Sequence, residues 1–294
     1  MIIRQLTADL TAALEAIYPA AEAAAIASLV AEELLQISPL QRRLRAAAPV
    51  PAAVARQLPA LTARLLAHEP VQYVLGTAHF AGLALEVTSA TLIPRPETEE
   101  LARLIETEQA SRPGLRVLDV GTGSGCLALA LARALPQAEV LAVDISADAL
   151  AVARRNAARY APQVTFELLD ILTQTPAVAP GTLDVLVSNP PYVRESEREL
   201  MRQNVLAWEP ATALFVPDDD PLLFYRRLAQ LGGALLRPGG GLYLELNEAL
   251  SAETVALLTA HGFADVRGVE DMFGRPRLVR GTWPRSGFAR SGCI

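Results

Sequence analysis

The chain has 294 residues, 51% of them apolar and 5% aromatic, and its formal net charge is -6. This length allows one or two domains with sizeable cores, and the acidic balance weighs against a broad nucleic-acid-binding face. Two cysteines and three dispersed histidines argue against a disulfide framework and a zinc site. We expect no metal site, no membrane span and no signal peptide. The prediction is therefore a cytoplasmic protein, a monomer, that binds neither membranes nor nucleic acid directly.

Residues 1–75 are rich in alanine and leucine, and their apolar residues recur with helical periodicity. Prolines interrupt this pattern, for example at Ser38-Pro39. The pattern predicts a small all-α N-terminal domain, which could dock a substrate or only stabilise the protein. A linker follows over 76–95, where residues 80–87 predict a short hairpin with Gly82 near its turn.

Strands and helices alternate over residues 96–281, which predicts parallel strands with helices on both faces of the sheet. The predicted strands cover 116–120, 140–144, 164–169, 183–187, 241–246, 264–269 and 277–279. The first predicted helix begins near residue 98, and three further helices are predicted over 126–135, 147–160 and 222–236. Residues 282–294 contain proline, glycine and serine, and we expect a flexible tail there.

A glycine-rich turn lies between the first of these strands and its helix, where residues 119–125 read Asp-Val-Gly-Thr-Gly-Ser-Gly. Glycines let the backbone approach a ligand closely, and an acid about 20 residues on can bind ribose hydroxyls. Asp144 and Asp170 each end a later strand, although either acid alone is equally typical of a helix cap or a turn. Because Asp119 suits a cationic ligand, we prefer S-adenosylmethionine to NAD, and no phosphate-binding loop of nucleotide triphosphatases is present.

A second signal is Asn-Pro-Pro-Tyr at residues 189–192, directly after an apolar strand. The side-chain oxygen of Asn189 can accept one hydrogen of an NH2 group, and the carbonyl oxygen of Pro190 can accept the other. Tyr192 offers an aromatic face for a planar group. The four residues together favour a clamp for a planar nitrogen group over a merely stiff loop.

With these motifs the chain resembles the release factor glutamine N5-methyltransferase family, of the PrmC/HemK type. The similarity lies in residues 69–76, 92–99, 117–125, 188–192, 209–214 and 271–277. The resemblance implies a class I (Rossmann-like) methyltransferase domain with a seven-stranded, mostly parallel sheet and a small all-α N-terminal domain. It implies methyl transfer from S-adenosylmethionine to the side-chain amide nitrogen (N5) of the glutamine in the Gly-Gly-Gln loop of class I peptide-chain release factors, leaving S-adenosylhomocysteine.

The resemblance also implies site residues. Besides Asp119, the expected cofactor-binding residues are Gly121, Thr122, Gly123, Ser124, Gly125, Asp144, Asp170, Ile171 and Asn189. The expected substrate-binding residues are Asn189, Pro190, Pro191 and Tyr192, of which Asn189, Pro190 and Tyr192 are the expected catalytic residues.

Other positions are less certain from the sequence. Arg95 and Glu97 are expected either to line the substrate mouth or to serve as a helix cap or an ion pair. Ile171 replaces an aromatic residue common in the family, so aliphatic packing against adenine is expected. Asp220-Pro221 and Leu246-Asn247 also depart from the family pattern, which affects local loop shape.

Three alternatives remain open at this stage. A DNA or RNA amino-group methyltransferase uses a similar clamp, but would be expected to carry a basic, aromatic-rich recognition segment. A methyltransferase acting on a ribosomal-protein glutamine would have the same catalytic domain. A non-catalytic cofactor-binding module or nucleotide sensor would have no need of residues 189–192.

Overall fold

The protein is described here by a computed structural model covering residues 1–284. The α-helices are α1 (Ile3–Leu14), α2 (Ala20–Leu35), α3 (Pro39–Leu44), α4 (Ala52–Leu66), α5 (Val71–Leu75), α6 (Pro96–Gln109), α7 (Cys126–Ala134), α8 (Ala147–Tyr160), α9 (Gln203–Trp208), α10 (Leu223–Leu235) and α11 (Ser251–Ala260). The strands are β1 (Thr77–Phe80), β2 (Leu83–Glu86), β3 (Arg116–Val120), β4 (Glu139–Asp144), β5 (Thr165–Leu168), β6 (Leu183–Ser188), β7 (Val193–Arg194), β8 (Phe215–Val216), β9 (Leu236–Glu245), β10 (Ala264–Glu270) and β11 (Pro276–Thr282). Short 3₁₀ helices cover Glu195–Leu200, Ala211–Ala213 and Glu248–Leu250.

The described chain divides into two compact units, and the first comprises Met1–Thr77 together with Arg202–Trp208. Its core is formed by apolar residues of α1, α2, α4 and α5, among them Leu14, Val30 and Leu65. The interruption predicted at Ser38-Pro39 is a helix start: Ser38 caps α3 through its Oγ, which accepts from the backbone N–H of Gln41 at 3.2 Å. The predicted helical N-terminal domain is thus confirmed.

Helix α9 belongs to this first unit although it lies more than 120 residues after α5 in the chain. Arg202, just before α9, makes an ion pair with Glu22 of α2 at 2.7 Å. This assignment could not be predicted from the sequence, because a six-residue helix does not reveal which core it joins.

The second unit comprises Ala78–Met201 and the described residues from Glu209 onward, and it holds a seven-stranded sheet with the order β10-β11-β9-β6-β3-β4-β5. The pairs β5–β4, β4–β3, β3–β6 and β6–β9 are parallel, whereas β11 is antiparallel to both β9 and β10. Only β11 therefore runs against the others, and the predicted mostly parallel sheet is confirmed. The pair β1–β2 forms the predicted hairpin, with Ala81 and Gly82 at its turn.

Two apolar cores lie on the two faces of the sheet, because successive side chains of a strand point to opposite sides. On β3, Val117 joins the core formed with α6 and α7, whereas Leu118 and Val120 join the core formed with α10. Strand β6 is buried along its whole length. Continuous apolar strands of this kind are typical of parallel sheets covered on both faces.

The ends of the late strands differ from the sequence prediction. Strand β9 begins at Leu236 instead of residue 241, because its first residues pair with β6 ahead of a register shift. At Gly240 a Cβ would come within 2.9 Å of the carbonyl oxygen of Leu183, so the strand needs a glycine at this irregularity. The first residues of the predicted tail belong to the fold instead: Thr282 ends β11, and the ring of Trp283 packs edge-on against Phe263 with centroids 5.2 Å apart. The rest of that tail, with Cys293, lies outside the described residues.

No helix within residues 1–284 is long and apolar enough to cross a membrane. The same residues contain no group of three or more histidine, cysteine, aspartate or glutamate side chains that could hold a metal ion.

The start of β6 depends on a buried carboxylate. Asp184 accepts from the Arg112 guanidinium at 2.6 Å, from the backbone N–H of Arg116 at 2.9 Å, and from Arg237. We expect Asp184→Asn to lower the free energy of unfolding by about 2 to 3 kcal/mol, measured by urea denaturation, because charged donors lose their acceptor. The matched control is Glu139→Gln, whose exposed ion pair with Arg116 spans 3.6 Å and should contribute little. Equal losses in the two variants would contradict the assignment.

Candidate active site

A cavity of about 450 Å³ lies at the carboxyl ends of β3, β4 and β6. These parallel strands end at the same edge of the sheet, and the chain turns in opposite directions on the two sides of β3. Ligands of open α/β sheets bind in the crevice at such a switch point. A volume of this size is within the range of small-molecule sites.

The glycine-rich turn after β3 is fastened to the neighbouring strand. The backbone N–H groups of Gly121 and Thr122 donate to the carbonyl oxygen of Val143 at 2.9 and 3.1 Å. Gly121, Gly123 and Gly125 have φ values of +73°, +56° and +84°, a region that favours glycine. Gly121 and Gly123 line the cavity, so backbone instead of side chain faces a ligand there.

Asp119 lies beneath this turn and is fully buried. Its Oδ2 accepts from the Thr122 hydroxyl at 2.7 Å and from the Ala128 N–H at 3.2 Å, whereas Oδ1 is buried without a partner in the described chain. Burial raises the pKa of this carboxyl to about 7, although the two hydrogen bonds oppose the shift. A buried acceptor with no donor costs free energy, and it suits a site that a cationic ligand completes.

The raised pKa of Asp119 gives the protein without ligand a testable pH dependence. The unfolded carboxyl releases its proton near 3.8 and the folded one near 7. Between these values the folded state holds the extra proton, so this group's contribution to the free energy of unfolding falls as pH rises. We expect the wild-type protein to lose stability relative to Asp119→Asn between pH 5 and pH 8, measured by urea denaturation at a series of pH values. Parallel pH profiles for the two proteins would contradict a raised pKa.

Asp144, at the end of β4, lines the cavity and holds the glycine turn. Its Oδ2 accepts from the Gly123 N–H at 2.8 Å, and its Oδ1 accepts from the Ser146 N–H at 2.9 Å. Burial raises the pKa of Asp144, and these backbone hydrogen bonds oppose the shift. Each carboxylate oxygen can accept a second hydrogen bond, so Asp144 can still bind hydroxyl groups of a ligand.

Asp170 and Ile171 follow β5 and also line the cavity. The carboxylate of Asp170 accepts from the Leu172 N–H at 3.0 Å and from the Thr173 hydroxyl at 2.9 Å, so it shapes its own turn. Asp170 therefore has the turn role that the sequence left open, and it also lines the cavity. Ile171 is 7% exposed and contributes an aliphatic wall.

The Asn-Pro-Pro-Tyr segment follows β6 directly, and Asn189, Pro190 and Pro191 line the same cavity. The Ser188 hydroxyl donates to the carbonyl oxygen of Val120 at 2.7 Å, which holds the ends of β6 and β3 together. The structure thus brings three of the four residues of the predicted nitrogen clamp to one cavity with part of the glycine turn. The other predicted residues at this cavity are Gly121, Gly123, Asp144, Asp170 and Ile171.

Other predicted residues lie behind the cavity wall. Four residues of the glycine-rich segment are not among those that line the cavity, namely Asp119, Thr122, Ser124 and Gly125. The Oγ of Ser124 is buried without a partner in the described chain. Tyr192, the aromatic residue of the predicted clamp, is not among the residues that line this cavity, and its hydroxyl donates to Oε1 of Glu245 at 3.0 Å.

Arg95 and Glu97 are not among the residues that line this cavity. Arg95 makes an ion pair with the buried Glu209 at 2.5 Å, and the Ile93 N–H donates to the same carboxylate at 3.1 Å. This is the ion-pair role that the sequence left open for Arg95. The pair ties residues 92–95 to Glu209, and the adjoining Leu92 and Pro210 both line the cavity.

The PrmC N-terminal domain model matches residues 5–76, and the methyltransferase small domain model matches residues 98–214. A protein of Bacteroides thetaiotaomicron named release factor glutamine methyltransferase is 43% identical over 277 residues, which cover 94% of this chain and 99% of that protein. The chain belongs to the release factor glutamine methyltransferase family. A member from Cereibacter sphaeroides is 39% identical, with 90% and 92% of the two chains covered.

Among solved structures, the hMettl16 catalytic domain in complex with the MAT2A 3'UTR hairpin 6 is similar in fold, with a TM-score of 0.54 and 16% identity over 72% of this chain and 78% of that one. Membership of the release factor glutamine methyltransferase family confirms three predictions: the resemblance, the class I methyltransferase fold and the enzyme class, that of a protein-glutamine methyltransferase.

Sequence reasoning within this family missed the polar residues behind the clamp. Thr98 of α6 and Glu245 at the end of β9 are 2% and 1% exposed, and they contact Asn189 and Tyr192. Burial raises the pKa of Glu245, and hydrogen bonds from Thr98 and Tyr192 oppose the shift. The sequence did contain one indication of these residues: Glu245 ends an otherwise apolar strand, and a buried carboxylate needs hydrogen-bond partners.

Proposed function

We propose that this protein transfers a methyl group from S-adenosylmethionine to the side-chain amide nitrogen of the glutamine in the Gly-Gly-Gln loop of class I release factors. The observation that supports the proposal best is that Asn189, Pro190 and Pro191 line the same cavity as Gly121 and Asp144. One cavity can therefore hold a planar amide and a cofactor side by side. Names of the relatives supply the substrate class.

The residues at the cavity fit S-adenosylmethionine. The unpartnered Oδ1 of Asp119 suits an ammonium group, directly or through a water molecule, and Asp144 suits ribose hydroxyls. Ile171, Phe224 and Leu228 provide an apolar wall of the kind that an adenine ring needs. When bound, S-adenosylmethionine supplies an electrophilic sulfonium methyl group, and S-adenosylhomocysteine remains after transfer.

An amide nitrogen is a poor nucleophile because its lone pair is delocalised into the carbonyl group. In the proposed mechanism Asn189 Oδ1 and the Pro190 carbonyl oxygen each accept one hydrogen of the substrate NH2 group. These two acceptors fix the plane of the amide and increase the electron density on nitrogen, so catalysis depends on positioning and electrostatics. The new N–C bond forms as the S–C bond breaks, and one N–H proton leaves to water.

Tyr192 has a separate part in this proposal. Burial raises the pKa of its hydroxyl, and the neighbouring Glu245 carboxylate raises it further, so the phenol stays neutral. The Tyr192 hydroxyl already donates its hydrogen to Glu245. Tyr192 therefore supplies no proton, and because it does not line the cavity, it acts by anchoring the end of the clamp segment on Glu245.

We further propose that the helical N-terminal domain docks the release factor, and that the protein works as a cytoplasmic monomer without contacting nucleic acid directly. The support is the match of residues 5–76 to the N-terminal domain model of the same family. A docking domain is useful because a short Gly-Gly-Gln loop offers little surface for recognition.

The test is incubation with methyl-labelled S-adenosylmethionine and either a purified class I release factor or a short Gly-Gly-Gln peptide, followed by mass mapping. We expect one methyl group on the glutamine side chain, and a higher kcat/KM for the whole factor than for the peptide. Equal kcat/KM values would contradict docking. Label on a ribosomal-protein glutamine or on an RNA oligonucleotide, with none on the release factor, would contradict the proposed substrate.

A further inference from the structure

We propose that Thr98 and Glu245 are positioning residues that decide which end of the Asn189 amide faces the substrate. The proposal rests on the proposed function, because it concerns how the acceptor for the glutamine NH2 group is presented. It assigns a role in the reaction to two residues that lie behind the cavity wall.

A chain of three polar groups, two of them buried, carries the inference. The Thr98 hydroxyl donates to Glu245 Oε2 at 2.6 Å, and Asn189 Nδ2 donates to Thr98 Oγ1 at 3.1 Å. Thr98 and Glu245 are almost completely buried, so water does not compete for the bond between them. The chain connects α6, the end of β9 and the first residue after β6.

The chemistry of each group sets the direction of the chain. The hydrogen bonds from Thr98 and Tyr192 favour the ionised form of Glu245 against the effect of burial, and in that form its carboxylate only accepts. A threonine hydroxyl has one hydrogen to donate. Because that hydrogen goes to Glu245, Thr98 Oγ1 can only accept from Asn189. Asn189 must therefore turn its NH2 group inward, and its Oδ1 is left as an acceptor with no donor among residues 1–284.

A reversed amide would be inactive on this account. If Asn189 turned its oxygen towards Thr98, two acceptor oxygens would compete for one hydroxyl hydrogen. Its NH2 group would then face the substrate NH2 group, donor against donor. The buried carboxylate thus prevents the orientation in which the clamp has only one acceptor.

The same carboxylate also fixes the aromatic residue of the clamp. Its other oxygen, Oε1, accepts from the Tyr192 hydroxyl at 3.0 Å. The Asn247 side-chain NH2 group donates to the Tyr192 carbonyl oxygen at 3.1 Å, which restrains the backbone of that residue. Arg277 and Glu97 lie close enough to Glu245 to change its pKa in opposite directions. One buried group therefore aligns both the hydrogen-bond acceptor and the ring.

The matched variants are Thr98→Val, which keeps the shape but removes the hydroxyl, and Thr98→Ser, which keeps the hydroxyl. With a Gly-Gly-Gln substrate we expect Thr98→Val to lower kcat by about 10- to 100-fold, because the clamp loses its fixed orientation. The Kd for S-adenosylhomocysteine should stay near the wild-type value in both variants. Thr98→Ser should also keep the wild-type Tm and most of the wild-type kcat. The side-chain amide NMR signals of Asn189 should move in Thr98→Val only.

Glu245→Gln provides a second, independent variant if Thr98→Val does not fold. The new amide must turn a donor towards Thr98 or Tyr192, so kcat should fall while the Kd for S-adenosylhomocysteine is kept. Wild-type kcat in either folded variant, or equal losses in Thr98→Val and Thr98→Ser, would overturn the inference. Failure of the wild-type protein to methylate any glutamine would instead overturn the proposed function.

Discussion

Asn189→Ala is expected to lower kcat on a Gly-Gly-Gln substrate by about 100- to 1000-fold, the effect typical of removing one preorganised hydrogen-bond partner. The side chain ends at the cavity and holds the clamp's only side-chain acceptor in the proposed mechanism. The Kd for S-adenosylhomocysteine should change far less, because Asp119, Asp144 and the glycine turn are untouched. Steady-state kinetics and isothermal titration calorimetry measure the two quantities.

The control for this variant is Asn204→Ala in α9, which removes an equally sized side chain from the first unit. With a short peptide substrate it should keep the wild-type kcat. If Asn189→Ala turned over substrate at a near-normal rate, or lost cofactor affinity as strongly as kcat, the assignment of Asn189 to the substrate amide would be wrong.

Asp144→Ala is expected to raise the Kd for S-adenosylhomocysteine by about 100-fold, since hydrogen bonds to a charged group contribute about 1.5 to 3 kcal/mol each. The substitution removes the acceptor for ribose hydroxyls and also releases the Gly123 N–H, which Asp144 holds at 2.8 Å. The loss of affinity should be accompanied by a higher KM for S-adenosylmethionine.

Asp148→Ala is the matched control, because Asp148 lines the same cavity and has the same charge but lies in the first turn of α8. It accepts no hydrogen bond from the glycine turn, and we expect only a small change in Kd. Similar losses in the two variants would show that net charge at the cavity matters, and not the specific acceptor at Asp144.

The sequence predicts those parts of the site that depend on neighbouring residues. A strand, a glycine turn and a helix are encoded within 119–125, and strand-end acids such as Asp144 and Asp170 reach a common edge because the strands are parallel. The other candidate site residues came from the resemblance to the methyltransferase family. The mostly parallel sheet could also be predicted, because the alternation of strands and helices is visible in local sequence periodicity.

Contacts between distant parts of the chain could not be predicted in this way. Thr98 and Glu245 are 147 residues apart in sequence, and Ile93 and Glu209 are 116 apart. Which of the many polar side chains meet depends on strand order and on how helices pack on the sheet. The early start of β9 was missed for a related reason. Its proline and glycines are typical of a turn, but Leu236 pairs with β6, and the backbone groups of Gly239 and Gly240 form hydrogen bonds with Trp283.

The assignment of Arg202–Trp208 to the first unit has a consequence for protein engineering. The N-terminal domain cannot be removed by one cut after Thr77, because a shortened chain would retain an orphan segment whose half-buried Val205 and Leu206 lose their surroundings. A clean separation requires a second edit that replaces residues 202–208 with a polar spacer joining Met201 to Glu209. If a chain truncated after Thr77 were insoluble, the exposed segment 202–208 would explain the result, and no conclusion about substrate recognition would follow.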